Sequence, residues 1–125
     1  LLRSFSPDII VLEYVNAFKG AASNASFTFG RGFGMVEGLI HGLGFADRLH
    51  LTRPKVWQKE THLKTTTLDD PKAKSLEAVM ARHEAKCYTV GKSMHDGIVD
   101  AILIAEYGVF KYEQIRRGIG VPETV

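Results

Sequence analysis

Three acidic side chains have the type and context expected of a metal site. Glu13 directly follows the apolar run 9–12, and open α/β sheets place their ligands at the carboxyl ends of strands. Asp96 and Asp100 are four residues apart, so on a helix they share one face, with about 5–6 Å between their Cβ atoms. Such carboxylates repel each other unless a cation intervenes, and Mg²⁺ is commonly held by carboxylates and substrate phosphate. This pattern predicts phosphodiester hydrolysis with divalent cations.

Each acid also has a purely structural interpretation. A residue after a strand is commonly a turn residue, and Asp96 at a helix start suits a cap or a favourable partner of the helix dipole. Asp100 fits such a role less well because it lies in an otherwise apolar stretch, where an unpaired buried carboxylate is costly. Spacing alone therefore leaves the metal site open, with the structural interpretation the more common one.

The apolar pattern predicts the elements that position these acids. Residues 9–12 form a continuous β-branched run, typical of a strand buried on both faces, and residues 49–52 predict a second strand. Helices are predicted over 27–43, from Pro54, over 70–83 with Leu76, Val79 and Met80 buried, and from His95 or Asp96 to Tyr107, ending at Gly108. The segment 61–70 is predicted to be a mobile loop. This order indicates a single α/β domain over residues 1–125 with a partly parallel sheet.

Glycines interrupt the first predicted helix at five positions, namely Gly30, Gly32, Gly34, Gly38 and Gly42. Each costs about 1 kcal/mol relative to alanine in a helix. A helix this rich in glycine is usually packed closely against another backbone. We therefore expect it to lie on a sheet or on a partner subunit, and we expect a dimer through this helix.

Composition excludes several other classes of protein. The single Cys87 excludes an internal disulfide and a cysteine zinc site, and the five histidines lack zinc spacing. The segment 30–34 is no dinucleotide fingerprint, because Met35 occupies the position that requires glycine. No apolar run approaches the ~20 residues of a membrane span. A net charge of +2 permits nucleic-acid binding without requiring it.

Four stretches occur in an order shared with a known family. Val11-Leu12-Glu13 ends a strand in an acid, and residues 27–34 with Glu37-Gly38 form the following helix. Residues 53–59 contain the pattern Pro-x-x-Trp-x-Lys, and residues 95–108 form an apolar helix that carries two aspartates. Together, over most of residues 9–108, they resemble the RuvC-like Holliday junction resolvases, especially the phage-type branch.

The resemblance implies an RNase H-like fold of the RuvC type, present here as a partial domain with a mixed sheet flanked by helices. It implies a homodimeric endonuclease of DNA recombination and repair that cuts four-way junctions with Mg²⁺ or Mn²⁺. Such an enzyme would act inside a bacterial or phage-infected cell, or in an organelle. Glu13 and Asp100 would be metal ligands, and Asp96, or His95 beside it, would take the place of the ligand one turn earlier.

The family's first catalytic acid lies on an N-terminal strand, and this chain starts after that point. We therefore expect the first strands of the domain, with that aspartate, to be absent from residues 1–125. Residues 1–125 alone are then expected to be inactive.

Basic and aromatic side chains supply candidate DNA contacts. The candidates are Arg31, Lys55, Lys59, Lys74 and Phe18. Lys59 and Lys74 resemble lysines near the resolvase active site, whereas a solvated surface is the default interpretation of most such residues. Phe18 could stack on an unpaired base, with core packing as the more common alternative, and Trp57 is expected to be a packing anchor.

Two other functions remain open. The chain could be an RNase H-like subdomain of a transposase or a guide-dependent nuclease. It could also be a non-enzymatic module that binds nucleic acid or dimerises. A separation of more than about 10 Å between the three acids would favour the module, because carboxylates cannot share metals over that span.

Overall fold

The computed structural model describes residues 1–16, 20 and 22–119 and has an α/β architecture. The helices are α1 (Leu2–Phe5), α2 (Ser23–Gly42), α3 (Pro54–Thr61), α4 (Pro71–Arg82) and α5 (Asp96–Arg116). The strands are β1 (Ile10–Glu13), β2 (Leu49–Thr52), β3 (Thr89–Val90) and β4 (Ser93–Met94). The α/β class is confirmed, as are the two predicted strands, whereas α1 and the short β3–β4 hairpin had not been predicted.

Strands β1 and β2 form a parallel pair whose register runs from Ile10 opposite Leu49 to Glu13 opposite Thr52. The Tyr14 N–H donates to the Thr52 carbonyl oxygen at 2.7 Å and extends the ladder by one bond. Because both strands run in the same direction, Glu13 and Thr52 meet at one edge of the sheet. All four residues of β1 are only half-buried. The prediction of burial on both faces is therefore wrong, since within the described residues β1 belongs to a two-stranded sheet.

The core lies where α3 and α4 pack on α5, which in turn packs on β1. Its buried members are Trp57, Ala78, Val79, Tyr88, Val99, Leu103 and Tyr107. Full burial of a large apolar side chain contributes about 1.5–3 kcal/mol, so this cluster holds the three helices together. On α4 the buried residues are Ser75, Ala78 and Val79, whereas Met80 is 60% exposed. The prediction for Met80 is wrong because the small side chains at 75 and 78 form the contact face instead.

Helix α5 does not end at Gly108, as predicted, but continues to Arg116. Gly108 is buried, and a Cβ added to it would lie 3.1 Å from Val11 Cγ2. The glycine therefore permits a close approach of α5 to β1 and does not act as a stop signal. This approach fixes the distance between the helix that carries Asp100 and the strand that ends in Glu13.

The segment that joins α3 to α4, predicted as a mobile loop, is anchored at several points. Thr66 Oγ1 donates to Glu77 Oε2 at 2.5 Å, and Arg82 donates to the Thr61 carbonyl oxygen at 2.8 Å. At its end, the Asp70 side chain accepts the Ala73 N–H at 3.0 Å and caps α4. The loop therefore has a defined position beside α4.

Helix α2 is the least packed long element. Ile40 is its one buried residue, and Phe33 meets the Tyr14 ring edge-on at 5.7 Å between centroids. Large apolar side chains on it remain exposed, including Phe27, Met35 and Leu39. No helix in the described part of the chain is both long enough and apolar enough to cross a membrane.

Candidate metal centre and adjoining cation pocket

Glu13 lies at the carboxyl end of β1 and is half-buried. The Trp57 indole Nε1–H donates a hydrogen bond to its Oε2 at 2.5 Å. Burial raises the pKa of Glu13; the hydrogen bond from Trp57 opposes this shift, and the charge of Asp100 adds to it. A charge effect of this kind requires proximity, so the fold brings together two carboxylates that are distant in sequence.

Asp100 lies in the second turn of α5 and is also half-buried. Burial raises the pKa of its carboxyl; a hydrogen bond from Ser75 and the charge of Lys72 oppose the shift, and Asp96 adds to it. Ser75 is a buried residue of α4. Each of the two half-buried acids thus accepts a hydrogen bond from one neutral donor. The donor to Glu13 is Trp57 of α3, and the donor to Asp100 is Ser75 of α4.

Asp96 has a different environment from the other two acids. It begins α5, its side chain is 56% exposed, and its Oδ2 lies 3.5 Å from Lys72 Nζ. This placement agrees with the helix-dipole interpretation, although its charge still reaches Asp100. Within residues 1–16, 20 and 22–119, no group of three or more His, Cys, Asp or Glu side chains has the geometry to hold a metal ion together.

The donor set nevertheless fits a magnesium-type ion at Glu13 and Asp100. Mg²⁺ prefers oxygen ligands and is usually held by one or two carboxylates, with water and substrate phosphate completing the shell. The charge of Asp100 helps to raise the pKa of Glu13, and the charge of Asp96 helps to raise the pKa of Asp100. A cation would relieve this repulsion. Thr52 Oγ1, beside Glu13 in the ladder, is buried without a hydrogen-bond partner among the described residues.

Ser75 also connects Asp100 to a histidine. His62 Nε2 lies 2.9 Å from Ser75 Oγ. Burial lowers the pKa of His62, and the charges of Lys74 and Arg82 lower it further, so its ring is neutral at pH 7. Because an ionised carboxylate can only accept, the Ser75 hydroxyl donates to Asp100 and accepts from His62 Nε2–H.

His62 also lines a cavity of about 400 Å³ that is rich in lysine. Its lining residues are Lys55, Gln58, Lys59, His62, Leu63, Lys64, Thr66 and Lys74. Three of the predicted DNA contacts, at 55, 59 and 74, therefore share one pocket, and His62 links this pocket to Asp100 through Ser75. Arg31 is exposed on α2 and does not line the pocket, and Phe18 lies outside the described residues.

Sequence reasoning missed the groups that support the acids. Trp57 was expected to be a packing anchor, and its burial confirms this, but its hydrogen bond to Glu13 was not foreseen. Its place in the Pro-x-x-Trp-x-Lys pattern was the one available signal. Ser75 and His62 have no spacing that marks them, since only the packing of α4 on α5 brings them to Asp100.

Comparison with known proteins leaves the family open. No protein-family model matches the chain, and no curated protein or solved structure matches it. The resemblance to RuvC-like resolvases therefore remains a prediction. The features of the chain that bear on its function are the acidic pair, the hydrogen-bond donors to these acids and the lysines of the pocket.

Proposed function

We propose that this chain is an RNase H-like, RuvC-type endonuclease domain that hydrolyses phosphodiester bonds in branched DNA with Mg²⁺ or Mn²⁺. The observation that carries the proposal is the pairing of Glu13 with Asp100, two half-buried carboxylates from different elements. A half-buried acidic pair is less favourable without a cation than with one. The lysine pocket is linked to Asp100 through His62 and Ser75, and this favours chemistry on a phosphate group over a role in stability.

In this proposal the carboxylates hold the cation and the lysines hold the substrate. A bound divalent ion would supply charge stabilisation for the attacking and leaving oxygens of the phosphodiester. Lys55, Lys59 and Lys74 would contact backbone phosphates next to the scissile bond. Their contacts release counterions, so junction affinity should fall steeply as the salt concentration rises.

We also propose that a second copy of the chain covers α2. Gly30, Gly34, Gly38 and Gly42 are spaced by four and form one ridge along the helix. A Cβ added at any of them would meet nothing within 4 Å in the described structure. Exposed apolar side chains border the ridge. Two such ridges can approach closely across a two-fold axis, and a symmetric dimer suits a four-way junction with two strands to cut.

The test is junction cleavage by matched carboxamide variants. Asp100→Asn and Glu13→Gln should each lower the rate by about a hundredfold or more, the scale of losing one electrostatic group in a transition state. Asp96→Asn should lose less, because Asp96 is exposed and paired with Lys72. Glu84→Gln, an exposed acid paired with Lys86, is the control. Junction binding measured with Ca²⁺ should persist in all four.

Cleavage by Asp100→Asn at the rate of the unmodified protein would contradict the assignment of the site. The assay uses the longest natural form of the protein.

A second candidate function is a nucleic-acid-binding module without catalysis. It is favoured by the lack, in the described residues, of a three-residue group able to hold a metal ion. The module would bind the junction through Lys59 and Lys74, with an affinity independent of Mn²⁺. Salt-sensitive binding without Mn²⁺ affinity or cleavage would support the module over the nuclease.

A further inference from the structure

Trp57 is the chain's one tryptophan, and it lies between the core and the candidate metal centre. It is 1% exposed, and its indole N–H donates to Glu13 Oε2 at 2.5 Å. We propose that Trp57 is a positioning residue: it fixes the Glu13 carboxylate through Oε2 and leaves Oε1 for the cation. This role rests on the nuclease function proposed above.

The indole is well suited to this task because it is a rigid, neutral donor. Its Nε1–H can donate but cannot accept or bind a metal cation, so it acts on the cation only through Glu13. Packing in the core cluster fixes the ring, and His62 meets it edge-on, with 6.0 Å between centroids and an angle of 87°. The donor therefore stays in place when the carboxylate alone would rotate among its rotamers.

The hydrogen-bond donor to Glu13 is neutral, which suits an acid that has to keep its negative charge for a cation. A lysine or arginine in the same place would neutralise Glu13 and compete with a cation for it. The neutral indole satisfies one carboxylate oxygen and leaves the negative charge intact. Ser75 does the same for Asp100 with a hydroxyl. Both acids thus remain anionic ligands with one oriented oxygen each, which is the function of supporting hydrogen bonds around metal ligands.

The sharpest test replaces only the N–H group. Because the chain has one tryptophan, residue-wide incorporation of benzothienylalanine, in which sulfur replaces the indole N–H, changes Trp57 alone. This analogue preserves the shape of the ring and its packing. Mn²⁺ affinity is measured by calorimetry without DNA, so the readout does not depend on cleavage. We expect Mn²⁺ affinity to fall by about 10–100-fold, with the thermal unfolding midpoint of the metal-free protein little changed.

A genetic variant and a spectroscopic measurement accompany the analogue. Trp57→Phe also removes the donor and should weaken Mn²⁺ binding in parallel, with a loss of core packing that the analogue avoids. In the unmodified protein, the single indole N–H resonance should move downfield through the hydrogen bond. It should shift upfield in Glu13→Leu, which removes the acceptor, and stay in place in the control Glu84→Gln.

The outcomes separate the two proposals. If the unmodified protein binds Mn²⁺ and the analogue binds it within twofold of the same affinity, the positioning role is overturned and the nuclease proposal stands. If the longest natural form of the protein binds no Mn²⁺ and cuts no junction, both are overturned. If the chemical shift of the indole N–H is unchanged in Glu13→Leu, Trp57 does not donate a hydrogen bond to Glu13.

Discussion

Helices α2 and α5 have nearly the same length and both contain glycine, yet their glycines have opposite environments. Gly108 of α5 is buried, and an added Cβ would approach Val11 Cγ2 to 3.1 Å. The glycines of α2 face open space within the described structure. In α5 the missing side chain already serves a contact inside the chain. In α2 it serves none there, which is why we propose that a second copy covers that ridge.

The same contrast applies to the polar groups of the two regions. On α5, Asp100 is half-buried and has a donor from α4. On α2, Arg31 is exposed, and Phe27 beside it is 71% exposed. A charged side chain that is half-buried and an apolar side chain that is exposed therefore point to different features. In the packed region the half-buried charge supports the proposed metal site, and in the open region the exposed apolar side chain supports the proposed contact with a second copy.

The largest expected effect on stability comes from Gly108→Val. The branched side chain cannot fit between α5 and Val11, so overpacking should lower the free energy of unfolding by about 1–3 kcal/mol. Urea denaturation followed by circular dichroism measures it. Gly108→Ala, with one added carbon, should have a smaller effect. An unchanged urea midpoint in the valine variant would show that α5 and β1 do not approach as closely as described.

Gly38→Ala should have a smaller effect of the opposite sign. An added methyl group meets nothing in the described subunit, and alanine is the better helix former, so the subunit should gain about 0.5–1 kcal/mol. If the ridge is a dimer interface, the same methyl group should weaken self-association, which sedimentation at several concentrations measures. A more stable variant with an unchanged dimer affinity would exclude the ridge as the interface. Gly44→Ala is the contrasting control, because its φ of 84° makes any side chain strained.

Much of the fold follows from local rules in the sequence. Three elements begin at or next to their predicted first residues, namely β1 in the β-branched run 9–12, α3 at Pro54 and α4 at Asp70-Pro71. They do so because propensity and capping act over a few residues. The end of α5 and the exposure of Met80 do not follow, since they depend on what packs against the helix. The site divides in the same way. Residue types and spacing indicated Glu13 and Asp100, whereas Ser75 and His62 reach the site only through tertiary packing.

The smallest expected effect is a pH-dependent change in stability at Glu13. It distinguishes an acid that serves function from one that serves structure. Burial raises the pKa of Glu13, with Trp57 opposing and Asp100 adding to the shift. The folded protein therefore binds this proton more tightly than the unfolded chain. The contribution of Glu13 to stability is therefore fully present below the ordinary carboxyl pKa, about 4, and is lost as the pH rises through the raised folded value.

Glu13→Gln removes this titration while its amide oxygen can still accept the Trp57 N–H. Without divalent ions at pH 7, the variant should unfold at a slightly higher urea concentration than the unmodified protein. The gain should be about 0.5 kcal/mol or less, because solvent screens a half-buried carboxylate. Saturating Mg²⁺ should reverse the order, since it stabilises only a fold that binds it. A variant that is less stable than the unmodified protein at pH 7 by the same amount in the absence and in the presence of Mg²⁺ would make Glu13 a structural residue.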